Sequence, residues 1–217
     1  MNRIRSSTTL LAILAISSFG MGSTVALTTP AVAATITKSA ILEDPVAPKV
    51  APKGYDITIV QFADYNCAYC RRMHSAVAAL IASDPKIRLV YRDWPIFGPV
   101  SVEAARAAIA SQWQGKHEAF NAALYAGAGK LDSSAIRTAA NRAGVSWPRL
   151  QADLVKHKAE IDALLARTNE QAPAIGLRGT PAFIIGAYLV PGALDLATLR
   201  KAVAEARRNP NGPAKAR

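Results

Sequence analysis

Apolar residues follow two periods along this chain, and the period changes where the elements change. Residues 57–62, "ITIVQF", are β-branched and apolar, as a buried strand requires. From Cys67 to Asp84 the period lengthens. Val77, Leu80 and Ile81 share a helix face, and Pro85 closes the segment. Residues 86–92, "KIRLVYR", alternate and predict a second strand with Ile87, Leu89 and Tyr91 on one side. From about Ser101 to Ala172 the pattern is helical throughout. Val102, Ala105, Ile109 and Trp113 form one stripe, broken by Gly115, and Phe120 pairs with Leu124. Asp132 is placed to cap a helix that Gly144 stops, and Ser146 to cap another running through Leu150 and Leu154. Ile161, Leu164 and Leu165 lie in a last helix that Pro173 ends or kinks. Strand character returns in "AFIIG", 182–186, and "YLV", 188–190, which predict a hairpin turning at Gly186-Ala187. Asp195 then caps a helix with Leu196, Leu199 and Val203 in register. The order is strand, helix, strand, helical block, hairpin, helix, without an internal repeat: a small α/β sheet interrupted by helices.

The flanks read differently. Residues 34–54 contain Pro45, Pro48 and Pro52, a composition that suits an extended arm rather than a helix. The start carries Arg3 and Arg5, a short apolar stretch from Leu11 to Ser18, and Ala31-Val32-Ala33, an A-x-A exit. These are the three parts of a secretory signal peptide, 1–33, which predicts export to the periplasm. An uncleaved anchor is the rival reading, since no charge falls between Arg5 and Lys38. The last nine residues, 209–217, predict a disordered tail.

Charge changes the picture little. The chain has 26 Lys and Arg against 15 Asp and Glu, a net charge of +11. The cations are scattered and lack an aromatic-interleaved stripe, which argues against nucleic acid and for a solvated basic surface. The length suits one domain, and a core of that size folds without a crosslink.

The chemistry concentrates in "FADYNCAYCRRMH", 62–74, which holds the two cysteines of the chain, Cys67 and Cys70. Zinc needs four ligands, and His74, His117 and His157 are spread over separate predicted helices. Attached haem needs His after the second cysteine, where Arg71 stands. A purely structural bridge would close only a four-residue loop and stabilise by at most about 2 kcal/mol. Thiol exchange fits the spacing better. Cys67 falls where strand turns into helix, so unsatisfied N–H groups and the helix dipole favour its thiolate. Cys70, one turn on, can attack a mixed disulfide. Cys67 is then the nucleophile and the more exposed thiol, and Cys70 the resolving one. Arg71 either adds to thiolate stabilisation or is solvated surface. His74 reads as a surface residue and Met73 as packing. No cofactor and no metal are called for, because the pair carries the electrons.

Farther along, Thr180-Pro181 opens an apolar strand. A cis bond there would expose the Thr180 backbone to an extended peptide; an ordinary trans proline after a Gly179 turn is the alternative. The two stretches "TIVQFADYNCAYCRRMH" and "GLRGTPAFIIGAYLVPGAL" together resemble the DsbA-like branch of the thioredoxin superfamily. So do "ILEDPVAPKVAPKG" and "YRDWPIFGPVSVEAARAAIA", so that the likeness runs from about Ile41 to Ala206. The resemblance implies an α/β thioredoxin-like fold over 55–208, with a helical domain inserted at about 99–176. It implies Cys67 and Cys70 as the redox pair and Thr180-Pro181 as a cis-proline loop facing them, contacting substrate.

Three residue choices depart from the strongest oxidases of that family. Ala68-Tyr69, the residues that tune the pair, replace Pro-His. Gln61 stands where relatives commonly carry a buried acid. Thr180 before the proline is also seen in isomerases and reductases. The reading is an exported thiol–disulfide oxidoreductase that forms disulfides in unfolded or reduced exported proteins, works as a monomer, and is reset by a DsbB-like or DsbD-like membrane partner. A reductase or isomerase with the pair held reduced, or a thiolate site for Cu(I), are its rivals.

Overall fold

The computed structural model describes residues 36–127 and 129–212. The segment read as a signal peptide and residues 213–217 of the tail lie outside them. Two strands run parallel at the centre, β2 (Ile57–Ala63) and β3 (Ile87–Asp93), in register from Ile57 opposite Ile87 to Ala63 opposite Asp93. The helix α2 (Ala68–Ser83) crosses between them. On the other side of β2 lies β4 (Ala182–Ile185), antiparallel, and beyond it β5 (Tyr188–Pro191). Gly186 turns this hairpin at φ 58°, a left-handed conformation that glycine adopts without strain. A two-residue strand, β1 (Lys49–Val50), completes the order β1-β3-β2-β4-β5.

Period-two alternation decides what covers each face. Ile57 and Ile59 of β2, and Ile87, Leu89 and Tyr91 of β3, join Met73, Val77 and Leu80 of α2. They also join Leu199 and Val203 of α8 (Leu196–Arg208). Val60, Phe62 and Val90 point the other way, into a larger core shared with the helices that intervene between β3 and β4. Those are α3 (Pro99–Ala110), α4 (His117–Ala126), α5 (Ser133–Arg142), α6 (Trp147–Lys156) and α7 (Lys158–Ala174), with a 3-10 turn at Ser111–Gln114. Phe62, Phe120 and Phe183 are fully buried, each stabilising the fold by about 1.5–3 kcal/mol. The thioredoxin-like sheet with helices inserted after its second long strand is the fold that the resemblance implied.

Two flanking expectations need correction. The segment 34–54 is not simply extended. It contains α1 (Lys38–Leu42), whose N-cap Thr37 accepts from Ala40 N at 3.1 Å, as well as β1. Ile41 pays for that short helix by entering the large core. In the tail, Asn209–Gly212 are ordered into a turn by Gly212 N donating to Asn209 O at 3.0 Å.

The arm also answers for the polar positions of β3. Every residue of that strand is buried, Arg88 and Arg92 included. Arg88 donates to both carboxylate oxygens of Glu43, at 2.7 and 2.9 Å. Arg92 donates to Asp44 at 3.0 Å and to Gln171 on α7. Asp44 accepts again from Arg167 of α7, at 2.9 and 3.0 Å. Burial of this kind is tolerable only because each charge meets its partners.

Candidate active site

Cys67 is the N-cap of α2, in extended conformation at φ −81° and ψ 117°. Its backbone N–H donates to Asp64 O at 3.1 Å, and its carbonyl accepts from Arg71 N at 3.0 Å, which opens the helix. In the N-cap position its sulfur faces the free donors of the first turn and accepts from Cys70 N at 3.4 Å. The same thiol donates to Thr180 O at 3.3 Å, across 113 residues of chain. The Thr180-Pro181 bond is cis, and Pro181 O accepts from Gly192 N at 2.9 Å. The structure thus gathers Cys67, Cys70, Thr180 and Pro181 at one place, with both cysteines as free thiols.

Cys67 is less open than the N-cap argument implied. It is 3% exposed and Cys70 0%, so the difference between them is small. Thr180 O lies against the Cys67 sulfur at 3.3 Å. Burial pushes the Cys70 thiol up to about 12, against a backbone hydrogen bond from Asp64 that favours the thiolate. Ala68 and Tyr69, the two residues between, are exposed, and Tyr69 carries Arg72 at 4.2 Å over its ring.

Three neighbours differ from their sequence reading or sharpen it. Arg71 reaches neither sulfur: its guanidinium donates to the carbonyls of Tyr125 and Gly127 and fastens α2 to the helical block. His74 is half-buried rather than on the surface, stacked at 5.0 Å on Tyr125, and burial lowers its pKa. Met73 packs in the core, its sulfur accepting from Leu194 N at 3.5 Å. Gln61, 5% exposed, lines a cavity of about 180 Å³ with His74, Tyr91, Glu118 and Asn121.

Sequence reasoning missed two buried acids, Asp64 just after β2 and Asp93 at the end of β3. Asp64 is buried, with Oδ1 accepting from Asn66 N at 2.7 Å and Oδ2 from Ile96 N and Phe97 N at 2.7 and 3.1 Å. It binds the Cys67 turn to the loop after β3, where Ile96 and Phe97 stand 40% and 49% exposed. The Asp-x-Asn order before Cys67 is the signal that could have shown this turn. Asp93, at the end of β3, has no such signal. Among the described residues no group of three or more His, Cys, Asp or Glu is placed to hold a metal.

A thioredoxin sheet carrying a thiol pair at the start of α2, with a cis-proline carbonyl against the first sulfur, defines the thiol–disulfide oxidoreductase class. Within it the chain belongs to the DSBA-like thioredoxin domain family, matched over residues 58–204. It is similar to a thioredoxin-like oxidoreductase from Silicibacter pomeroyi DSS-3, at 40% identity and TM-score 0.75 over 80% of this chain and 99% of that one. It is also similar to a periplasmic thioredoxin-like protein from Salmonella enterica serovar Typhimurium, at 27% identity and TM-score 0.72 over 80% and 99%. Among curated proteins it is similar to the Na(+)/H(+) antiporter NhaA 3 of Salinispora tropica, 27% identical over 74% of this chain. The chain spans about a quarter of the length of the curated relatives it matches. Among the described residues no helix is long and apolar enough to cross a membrane.

Proposed function

We propose that the chain is an exported thiol–disulfide oxidoreductase that forms disulfides in reduced or unfolded exported proteins, with Cys67 as nucleophilic sulfur and Cys70 as resolving sulfur. The observation that carries this reading is the placement of Cys67 Sγ between Cys70 N and Thr180 O, at 3.4 and 3.3 Å. A substrate thiolate attacks Cys67 in the Cys67–Cys70 disulfide. The sulfur–sulfur bond breaks, Cys70 leaves with the electron pair, and a mixed disulfide forms at Cys67. A second substrate thiolate then attacks the substrate's own sulfur, closing its disulfide and leaving the pair reduced. The Thr180 backbone beside Cys67 offers an extended client an edge to lie along, and Ala68 and Tyr69 are exposed next to Cys67 in the chain. The signal-like start and the periplasmic relative support an extracytoplasmic place. A membrane partner of DsbB-like or DsbD-like type resets a monomeric protein.

The test uses reduced, unfolded ribonuclease as client. The oxidised protein restores its activity, Cys70→Ser accumulates the mixed disulfide through Cys67, and Cys67→Ser does neither. A glutathione titration fixes the direction. Disulfide formation needs a potential nearer to DsbA's, about −120 mV, than to thioredoxin's, about −270 mV. A value at or below the latter overturns the forming direction, and trapping through Cys70 overturns the roles.

A further inference from the structure

The helical block carries a charged groove that the exchange reaction, as described so far, does not use. It measures about 350 Å³ and is bordered by α4, α5, the loop between them and one residue of α2. Ala123 and Leu124 of α4 and Ala135 and Ala139 of α5 give it an apolar lining. Ser134, Thr138 and Arg142 follow one another at intervals of four residues, so they share one polar face of α5 along the groove. Lys130 lines it from the loop before that helix, and Arg71 enters it from α2. Cations that lie far apart in the sequence, at 71, 130 and 142, are gathered here by the fold.

Their charge is not answered within the chain. The one acid bordering the groove, Asp132, is engaged in the cap of α5, its Oδ1 accepting from Ala135 N at 2.8 Å. Arg71 is fixed in place by the carbonyls of Tyr125 and Gly127, which are not anions. Lys130 and Arg142 are exposed, and among the described residues neither takes part in an ion pair. Exposed arginines elsewhere do: Arg149 pairs with Asp153 and Arg208 with Glu205, each within one helical turn. Among the described residues no aromatic side chain lines the groove, so it offers no platform for stacking a base.

We propose that this groove receives an acidic side chain of the client, so that the protein favours reduced polypeptides with Asp or Glu close to the reacting cysteine. The proposal rests on the function given above, in which Cys67 is the sulfur that meets the client. Arg71 connects the two places. Its backbone N–H donates to Cys67 O at 3.0 Å, so one helical turn, about 5.4 Å, separates the two residues along α2. An extended client covers about 3.3 Å per residue, and a segment joined to Cys67 reaches the groove within about six residues of its cysteine.

The lining suits a carboxylate on a short apolar stem. Lys130 and Arg142 supply charge, and a guanidinium meets a carboxylate through two parallel hydrogen bonds. Ser134 and Thr138 offer hydroxyl donors, and the alanines and Leu124 take the methylene groups. Such a contact adds binding only for clients that carry the acid, which makes it a determinant of specificity rather than of the exchange chemistry.

Two peptides with one cysteine each test this on the oxidised protein. One carries glutamates about three to six residues to either side of the cysteine, the other glutamines. The rate at which each opens the Cys67–Cys70 disulfide is followed by alkylation and mass measurement. The ratio of the two rates within each protein is the readout, so the peptides' own reactivity cancels between proteins. At low salt the ratio is about three- to tenfold higher in the native protein than in Lys130→Ser/Arg142→Ser, and about 1 M salt removes the difference. Lys53→Ser/Lys201→Ser removes as much charge elsewhere. Lys53 precedes the start of β2, and Lys201 follows Arg200, which donates to Ser83 at the far end of α2 from Cys67. That variant keeps the native ratio. A native ratio in Lys130→Ser/Arg142→Ser, or an equal fall in Lys53→Ser/Lys201→Ser, overturns the proposal. If neither peptide opens the disulfide, the exchange function fails instead. Should Lys130→Ser/Arg142→Ser not fold, amide NMR of each peptide trapped on Cys67 in Cys70→Ser decides. Shifts from Lys130 to Arg142 with the glutamate peptide alone support the groove, and their absence ends it.

Discussion

His117 sets an acid limit on the fold. It opens α4, lies 4.6 Å from the Tyr91 ring, is 7% exposed, and has no partner for Nε2. Burial pushes its pKa from 6.5 down to about 3. Between those values the unfolded chain takes up a proton that the folded one refuses. Stability from this residue is therefore full above about pH 6.5 and is lost as pH falls toward 3, with a slope of up to about 1.4 kcal/mol per pH unit. His117→Phe removes that slope, and urea melts of both proteins across this range check it; parallel profiles would count against the argument. The comparison shows what a sequence discloses at this scale. Cys67, Cys70, Thr180 and Pro181 could be singled out because local spacing and neighbours carry their chemistry. His117 and Asp93 could not, because what distinguishes them is burial, which residues far away along the chain produce.

Helices were legible where their ends carry side chains that act locally. Asp132 Oδ1 accepts from Ala135 N at 2.8 Å and Asp195 Oδ1 from Thr198 N at 2.7 Å, and Gly144 closes α5 at φ 66°. Asp132→Ala exposes the first turn of α5 and costs about 1 kcal/mol, with the thiol chemistry unchanged. Denaturant midpoints and the rate at which the reduced protein releases coloured thiolate from dithiobis(nitrobenzoate) measure the two separately. Ser146 occupies the N-cap of α6 but makes no capping bond with its side chain, so its position was readable and its contribution was not. The elements of the arm escaped for a different reason. α1 has five residues and β1 two, too short to show a period. Arg88, Arg92 and the core hold them, all contacts made from outside.

Asp44 joins three parts of the molecule: the arm, the sheet through Arg92, and α7 through Arg167. Its side chain is 2% exposed and that of Arg92 is 0%. Asp44→Ala leaves Arg92 buried without its anion and costs about 3–5 kcal/mol. The loss reads out as a lower denaturant midpoint, while Arg167→Ala, removing a half-exposed partner, costs less. Equal effects would show that the buried pair is not what matters. The span of these contacts also orders events in time. Asp44 meets Arg167 across 123 residues, and β2 at the centre of the sheet finds β4 only when residues 182–185 exist. Bringing such distant segments together carries the closure entropy of long loops, which slows the step. A chain emerging from its N-terminus can pair β2 with β3 early, but stays without the β2–β4 pairing, and without a lock on its arm, until most of it has been made. Its redox site is a late feature, because Cys67 meets Thr180 only once residue 180 has been made.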